Sequence, residues 1–220
     1  MLRFRAFNGE KEIRKSHGNL PHRSQEGAVH FITFRLQDSL PAEVLDQWQR
    51  RRSEWLSLRG LTPKDEGWFE RLSPEHRREY AIQFGRVMED EMDRGLGSCL
   101  PRSRSNAAMV ASALHCFDGA RYDLGDYVVM PNHVHVLVIP REGNVIGTIL
   151  RSWKSYSGRA INAREGLTGR LWQKESFDHV VRSRRQLDRF RRYIEENPVK
   201  ARLNQGEYVL RQVGWEDESL

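Results

Sequence analysis

Four side chains have types and spacings that could do chemistry together: His133 and His135, two apart, and Tyr193 and Asn197, four apart. A strand sends alternate side chains to one face, so His133 and His135 point the same way, about 7 Å apart along the backbone. Two imidazoles at that separation can grip one divalent cation. They can also be two core histidines with hydrogen-bond partners, since polar rings in an apolar strand cost free energy without them. Tyr193 and Asn197 lie one above the other on a helix. The imidazoles and the Asn197 oxygen, with Glu196 as a fallback, would hold Mg²⁺ or Mn²⁺ with positions open for a phosphate oxygen. Imidazole ligation favours Mn²⁺ and availability favours Mg²⁺. Either ion acts as a Lewis acid on a phosphodiester. Tyr193 would be the nucleophile, and its free pKa of about 10 means that it needs help to attack as phenolate.

The elements that must position these groups are legible around them. Tyr122 to Met130 and the run after Asn132 read as strands joined at Pro131-Asn132. Ala28 to Leu36 is an earlier strand, with His30, Ile32 and Phe34 on one face and Val29, Phe31, Thr33 and Arg35 on the other. Ser183 with Gln186 matches a capping box for the helix that bears Tyr193. That helix should stop at Asn197, because Pro198 disfavours the α conformation before it. Further helices are expected over 41–59 (opened by Pro41), 73–94 (capped by Ser73), from Ser105 or Asn106 through Phe117, and over 145–164. Leu171-Trp172-Gln173 and Phe177 to Arg182 read as one broken strand or two short ones. The fold class is α+β. Residues 1–27 read as a flexible basic arm, 28–205 as one domain with a helical insertion at about 41–117, and 206–220 as a tail.

Charge placement narrows the partner. The chain of 220 residues carries a net charge of +6, and Arg151 to Arg202 alone holds 14 Lys/Arg against 6 Asp/Glu, an excess of +8. The remainder is therefore slightly acidic. A tract so localised is an electrostatic footprint for a polyanion, and Lys154, Arg182, Arg185, Arg192 and Lys200 are its candidate phosphate contacts. A solvated helix face is the bland alternative. No apolar run approaches the roughly 20 residues of a membrane span, and Met1 to Arg5 begins no signal peptide. Cys99 and Cys116 lack metal-type spacing. A soluble cytoplasmic, nucleoid-associated protein without a membrane partner is expected, as monomer or homodimer.

Val128-Val129-Met130-Pro131-Asn132-His133-Val134-His135, then Leu171-Trp172-Gln173, then Tyr193-Ile194-Glu195-Glu196-Asn197-Pro198-Val199-Lys200 together resemble the REP-associated tyrosine transposases. These are single-tyrosine members of the His-hydrophobic-His nuclease superfamily, related to insertion-sequence transposases. The resemblance covers most of Ala28 to Leu203. It implies a ferredoxin-like antiparallel sheet with helices on one face. It also implies cleavage of single-stranded DNA beside a hairpin, through a 5′-phosphotyrosine and a free 3′-OH. By the same resemblance His133, His135 and Asn197 are metal ligands and Tyr193 is the nucleophile. The helical insertion exceeds the family core, with hairpin binding as one role for it.

Other uses of these residues remain open at this level. Histidine-triad hydrolases need a third alternating histidine, and that slot holds Leu137. Tyr156 is a rival nucleophile or a surface tyrosine, His179 a site residue or a structural one, and Trp172 a base-stacking ring or a core anchor. A transposase-derived module that binds hairpin or single-stranded nucleic acid without cutting it is the alternative from another class. A metal-dependent hydrolase that uses water is a third.

Overall fold

Strand pairing gathers the chain onto one antiparallel sheet. The structure, a computed structural model, describes residues 1–4, 14–16, 22–24, 27–65, 67–85, 94–174 and 176–217. Three short strands come first: β1 (Leu2–Phe4), β2 (Arg14–Ser16) and β3 (His22–Ser24). After β4 (His30–Arg35) come α1 (Ala42–Ser57), α2 (Trp68–Arg71), α3 (Pro74–Tyr80) and α4 (Arg104–His115). The hairpin β5 (Tyr122–Val129) and β6 (His133–Pro140) is followed by α5 (Ile146–Glu165), β7 (Phe177–Val180) and α6 (Arg184–Lys200). Two short strands, β8 (Val209–Arg211) and β9 (Trp215–Asp217), follow. The five-stranded sheet has the order β7-β4-β6-β5-β8. Its first four strands follow the ferredoxin-like order, and β8 extends the β5 edge.

The central strand β6 is buried along its whole length because both faces of the sheet are covered. Val134, Val136 and Val138 join Ile32, Phe34, Val110, Leu114, Ile149 and Trp153 in a core under α4 and α5. Residues of the opposite parity meet the other layer. Leu137 packs there with Phe31, Val128 and Met130 against Leu187 and Ile194 of α6. Helices therefore lie on one face, as the resemblance implies, but the tyrosine-bearing helix covers the other face, the one that carries the histidines.

A buried carboxylate fixes α6 there. The β5–β6 register shifts between Leu124 and Tyr127, and Gly125 and Asp126 form the irregularity. A Cβ on Gly125 would come within 2.6 Å of the Trp215 indole and 2.9 Å of the Leu137 carbonyl, so only glycine fits this approach. Asp126 is wholly buried. It accepts from Arg191 Nε on α6 at 2.7 Å, from the Val213 amide at 2.8 Å and from Trp215 Nε1 at 3.2 Å. One side chain thereby ties the helix and the C-terminal segment to the sheet.

Several expectations need correction. The helix α6 passes through Pro198 and ends at Lys200. Pro198 removes one helical N–H donor, while the bonds of the following turn are kept. Ala201 N still donates to Asn197 O and Leu203 N to Pro198 O, both at 3.0 Å, and the buried ring adds packing. Residues expected to be arm and tail hold strands: β1 pairs in parallel with β9, and β2 is antiparallel to β3. Pro41 is the N-cap of α1 rather than its first helical residue. Ser73 Oγ does accept from His76 N at 3.2 Å, but the regular α-helix after it ends at Tyr80, and residues 86–93 of the expected helix lie outside the described ones. The N-cap of α4 is Ser103, and Asn106 instead donates to Leu100 O and Glu165 Oε1. Between β4 and α4, Trp55, Leu56, Trp68, Leu72 and Phe84 form a separate small core.

Asp126→Ala leaves the Arg191 guanidinium, the Val213 amide and the Trp215 indole without their acceptor. Removing one partner of a buried pair costs about 3 kcal/mol or more. Urea denaturation followed by tryptophan fluorescence is expected to show that loss, and Arg191→Ala is also expected to destabilise because it leaves the wholly buried Asp126 carboxylate without its cation.

Candidate active site

The two histidines are held the way metal-binding imidazoles are held. Both are buried, and their ring centroids stand 4.6 Å apart, closer than the strand spacing of their backbones. Asn132 Nδ2 donates to Leu96 O at 3.2 Å, which turns its Oδ1 toward His133 Nδ1 at 2.8 Å. The proton of His133 therefore belongs on Nδ1 and the lone pair on Nε2. Thr33 lies opposite His135 in the β4–β6 register, and its Oγ1 is 2.7 Å from His135 Nδ1. Both Nε2 atoms are buried without a hydrogen-bond partner among the described residues. Outer partners on Nδ1 with a bare Nε2 form the arrangement that orients imidazoles toward a cation.

Across the gap, α6 supplies the other two groups. The Tyr193 ring lies 4.9 Å from the His135 ring and the Asn197 side chain is wholly buried. Asn197 is near enough to act on the His133 pKa, yet neither amide atom makes a hydrogen bond of good geometry. Two Nε2 atoms and one amide oxygen, all buried and unsaturated, fit a divalent cation. Among the described residues no three His, Cys, Asp or Glu side chains cluster for a metal, and the Asn197 amide is the polar group of α6 buried without a hydrogen bond. Glu196 is exposed and pairs with Lys200 at 3.1 Å. Phe31 backs the site, stacked 4.2 Å from Phe190 and 5.6 Å from His135.

Burial dominates the electrostatics. It pushes His133 down to about 4, with Asn197 opposing and the Arg35 charge adding to the effect. His135 is pushed well below its ordinary value by burial and then by His133. Both rings are therefore neutral at pH 7, the state a metal requires.

The basic tract divides in three dimensions. Lys200 stands over the Tyr193 ring, its Nζ 5.5 Å from the centroid. Arg182, Arg185 and Arg192 are exposed at the start and on the outer side of α6. Lys154 lies on α5, under the opposite face, where its ammonium holds the Gln173 and Lys174 carbonyls at 2.9 and 3.1 Å. Tyr156 is exposed on α5, away from the histidines. His179 accepts from Gln186 Nε2 at 2.6 Å, while Gln186 Oε1 takes the Arg182 amide. Trp172 is a core anchor, 2% exposed, donating to Ser157 Oγ at 2.9 Å. The exposed ring near the histidines is Phe177, opposite Thr33 on the edge strand. Asp126 and Arg35 support the sheet around the site without a motif signal of their own, and Gln173, from the Leu171-Trp172-Gln173 string, accepts from Arg35 Nε at 2.8 Å. A small pocket beside His133 is lined by Arg94, Arg102, Asn132 and Leu203, among others.

An antiparallel sheet with paired strand histidines beneath a tyrosine-bearing helix is the arrangement that the motif resemblance implies. Residues 112–197, which hold all four central side chains, match the family model described as "Transposase IS200 like". Of the three strings on which the motif resemblance rests, the matched segment contains Val128 to His135 and Leu171-Trp172-Gln173 in full, and the third as far as Asn197. Among solved structures the chain is similar to a REP-associated tyrosine transposase bound to a REP hairpin, at 18% identity over 80% of this chain and 69% of that one, TM-score 0.42. It is also similar to a Deinococcus radiodurans protein assigned as a transposase, at 16% identity over 87% and 97%, TM-score 0.30. No curated protein matches the chain. Among the described residues no helix is long and apolar enough to cross a membrane.

Buried neutral histidines make stability depend on pH. As pH falls below the unfolded value of about 6.5, the unfolded chain takes protons first, and stability declines until the folded value near 4 is passed. The span is worth about 3 kcal/mol for His133 alone. Urea titrations in EDTA at pH 7 and pH 4.5 are expected to show a larger difference for the wild type than for the His133→Gln/His135→Gln variant. Equal differences would remove the two rings as its source.

Proposed function

We propose that the protein is a metal-dependent single-stranded DNA endonuclease and strand transferase that cuts beside DNA hairpins through a 5′-phosphotyrosine on Tyr193. The observation that carries this reading is the Tyr193 ring 4.9 Å from His135, over two imidazoles whose buried Nε2 atoms lack partners. His133, His135 and Asn197 would hold the cation, with Asn132 and Thr33 fixing the ring orientations. When bound, Mg²⁺ or Mn²⁺ supplies Lewis-acid stabilisation of charge on the non-bridging phosphate oxygens.

Tyr193 Oη attacks phosphorus, the bond from phosphorus to the 3′-oxygen breaks, and that oxygen takes a proton to become a free 3′-OH. The fragment on the 3′ side of the cut stays on the tyrosine through its 5′-phosphate. Transfer is the reverse step, in which a 3′-OH attacks the phosphotyrosine and the phenol is released. Lys200, paired with Glu196, stands beside the ring with its ammonium exposed, where it suits a phosphate oxygen of the strand. The exposed Arg182, Arg185 and Arg192 suit the backbone of a single strand, and Phe177 suits stacking of a base. Lys154 serves the site indirectly, by holding the loop that carries Gln173. One chain contains all four central groups, so a monomer suffices. The family resemblance supplies the hairpin substrate, and chromosomal DNA in the cytoplasm is where such a substrate lies.

Incubated with Mg²⁺ or Mn²⁺ and single strands carrying palindromes that neighbour its gene, the protein is expected to form a covalent adduct at the 5′ end, visible after denaturing electrophoresis. Tyr193→Phe abolishes the adduct and leaves binding near the wild-type level; cleavage by Tyr193→Phe at the wild-type rate would instead assign the attack to water. Salt-sensitive binding with no cleavage of any hairpin strand would identify a binding module.

A further inference from the structure

The edge strand β7 carries a ring that the packing of the sheet does not enclose. Phe177 is 49% exposed, and no other phenylalanine among the described residues is so open. It lies opposite Thr33 in the β4–β7 register. Residues directly opposite in an antiparallel pair project to the same face, and Thr33 meets His135 on that face. Phe177 therefore stands on the histidine side of the sheet. Buried Phe31 bridges it to the pair, 6.5 Å from Phe177 in an edge-to-face contact and stacked 5.6 Å from His135.

A single exposed phenylalanine is ordinary on a protein surface. This one is held in a row of rings and flanked by cations. Phe31 also stacks on Phe190 of α6 at 4.2 Å, and the His179 ring runs parallel to Phe177 at 6.4 Å. Arg189, exposed on α6, stands 5.4 Å from the Phe190 ring, and its charge, like that of Arg182, reaches His179. The β7 edge thus meets guanidinium groups from the start of α6 across a floor of aromatic rings. Proteins that bind single strands combine these two features, because every base offers a face to stack and every nucleotide a phosphate. In a duplex those faces are already stacked on one another, so a ring of this kind takes an unpaired base.

We propose that Phe177 is a stacking platform for an unpaired base of the strand held at the histidine pair, with Arg189 on the phosphate beside that base, and that this platform makes the site favour single strands over duplex. The inference rests on the reading of the site as one for a DNA strand and deepens it by naming what recognises the single-stranded state. It does not depend on Tyr193 being the nucleophile.

The test measures binding of a short fluorescein-labelled oligothymidylate in EDTA, where metal-dependent cutting does not interfere. Fluorescence anisotropy is expected to show affinity about tenfold weaker in Phe177→Ala and in Phe177→Leu, and kept in Phe177→Trp. Phe177→Ala leaves the salt dependence unchanged, whereas Arg189→Gln lowers its slope by about one. A fully paired duplex of the same length binds wild type and Phe177→Ala alike. An oligothymidylate carrying 5-iodouracil, irradiated on the wild type, is expected to cross-link to the peptide that contains Phe177. Circular dichroism melting should be the same for all variants, since the ring is half exposed. The proposal is overturned by no saturable binding to the wild type, by equal affinity in Phe177→Ala, by full affinity in Phe177→Leu, by an equal loss on duplex, by lowered melting of Phe177→Ala, or by cross-links confined to other peptides. Phe177-dependent binding without an adduct on hairpin strands would refute the tyrosine chemistry and keep the platform. An adduct formed by a wild type that binds oligothymidylate no better than Phe177→Ala would do the reverse.

Discussion

The antiparallel register of β4 against β6 is the constraint on which the site depends. It sets Thr33 against His135 and Arg35 against His133, and it puts all four on the face that α6 covers. A slip of one residue would send both histidines into the valine-lined core under α4 and α5 and bring Val134 and Val136 to the site. Two-sided burial of β6 guards against that slip, because both faces are fully packed and each parity of residue has its own layer. The same burial makes the histidines neutral and leaves their Nε2 atoms without a hydrogen-bond partner among the described residues.

What the sheet does for the histidines, Asp126 does for the helix above them. A short basic helix such as α6 gains little from its own sequence, since much of its surface is arginine. It is pinned by Leu187 and Ile194, by the Ser183 and Gln186 caps at its start, and by the Arg191 to Asp126 pair near its middle. Tyr193 and Asn197 come respectively two and six residues after Arg191, so the ion pair sets the height at which both meet the sheet. A helix running on through Pro198 keeps Asn197 in helical geometry up to the turn that closes it.

The basic tract shows that one composition can serve several ends. Arg191 turns inward to a carboxylate, Lys154 fastens a loop to the helix layer behind the sheet, and Lys200 stands at the tyrosine ring. Arg182, Arg185 and Arg192 keep their exposure. Net charge indicates a polyanion partner but does not say which cations face it, because direction follows from helix phase and packing.

Local spacing was enough to fix the face shared by His133 and His135, the pairing of Tyr193 with Asn197, the cap at Ser183 and the α+β class. Each follows from backbone periods of 2 and 3.6 residues or from turn chemistry acting within a few positions. The same local logic misjudged the end of α6, since it priced Pro198 without the bonds and burial of the turn around it. It could not reach Asp126, Arg35 with Gln173, or Trp215, because their partners lie 65, 138 and 89 positions away in the chain. The sequence by itself singled out His133, His135, Tyr193 and Asn197 as the candidate side chains. Only the tertiary structure decided that they face one another, because register, a glycine that admits an indole, and one buried carboxylate act between segments that no local pattern connects.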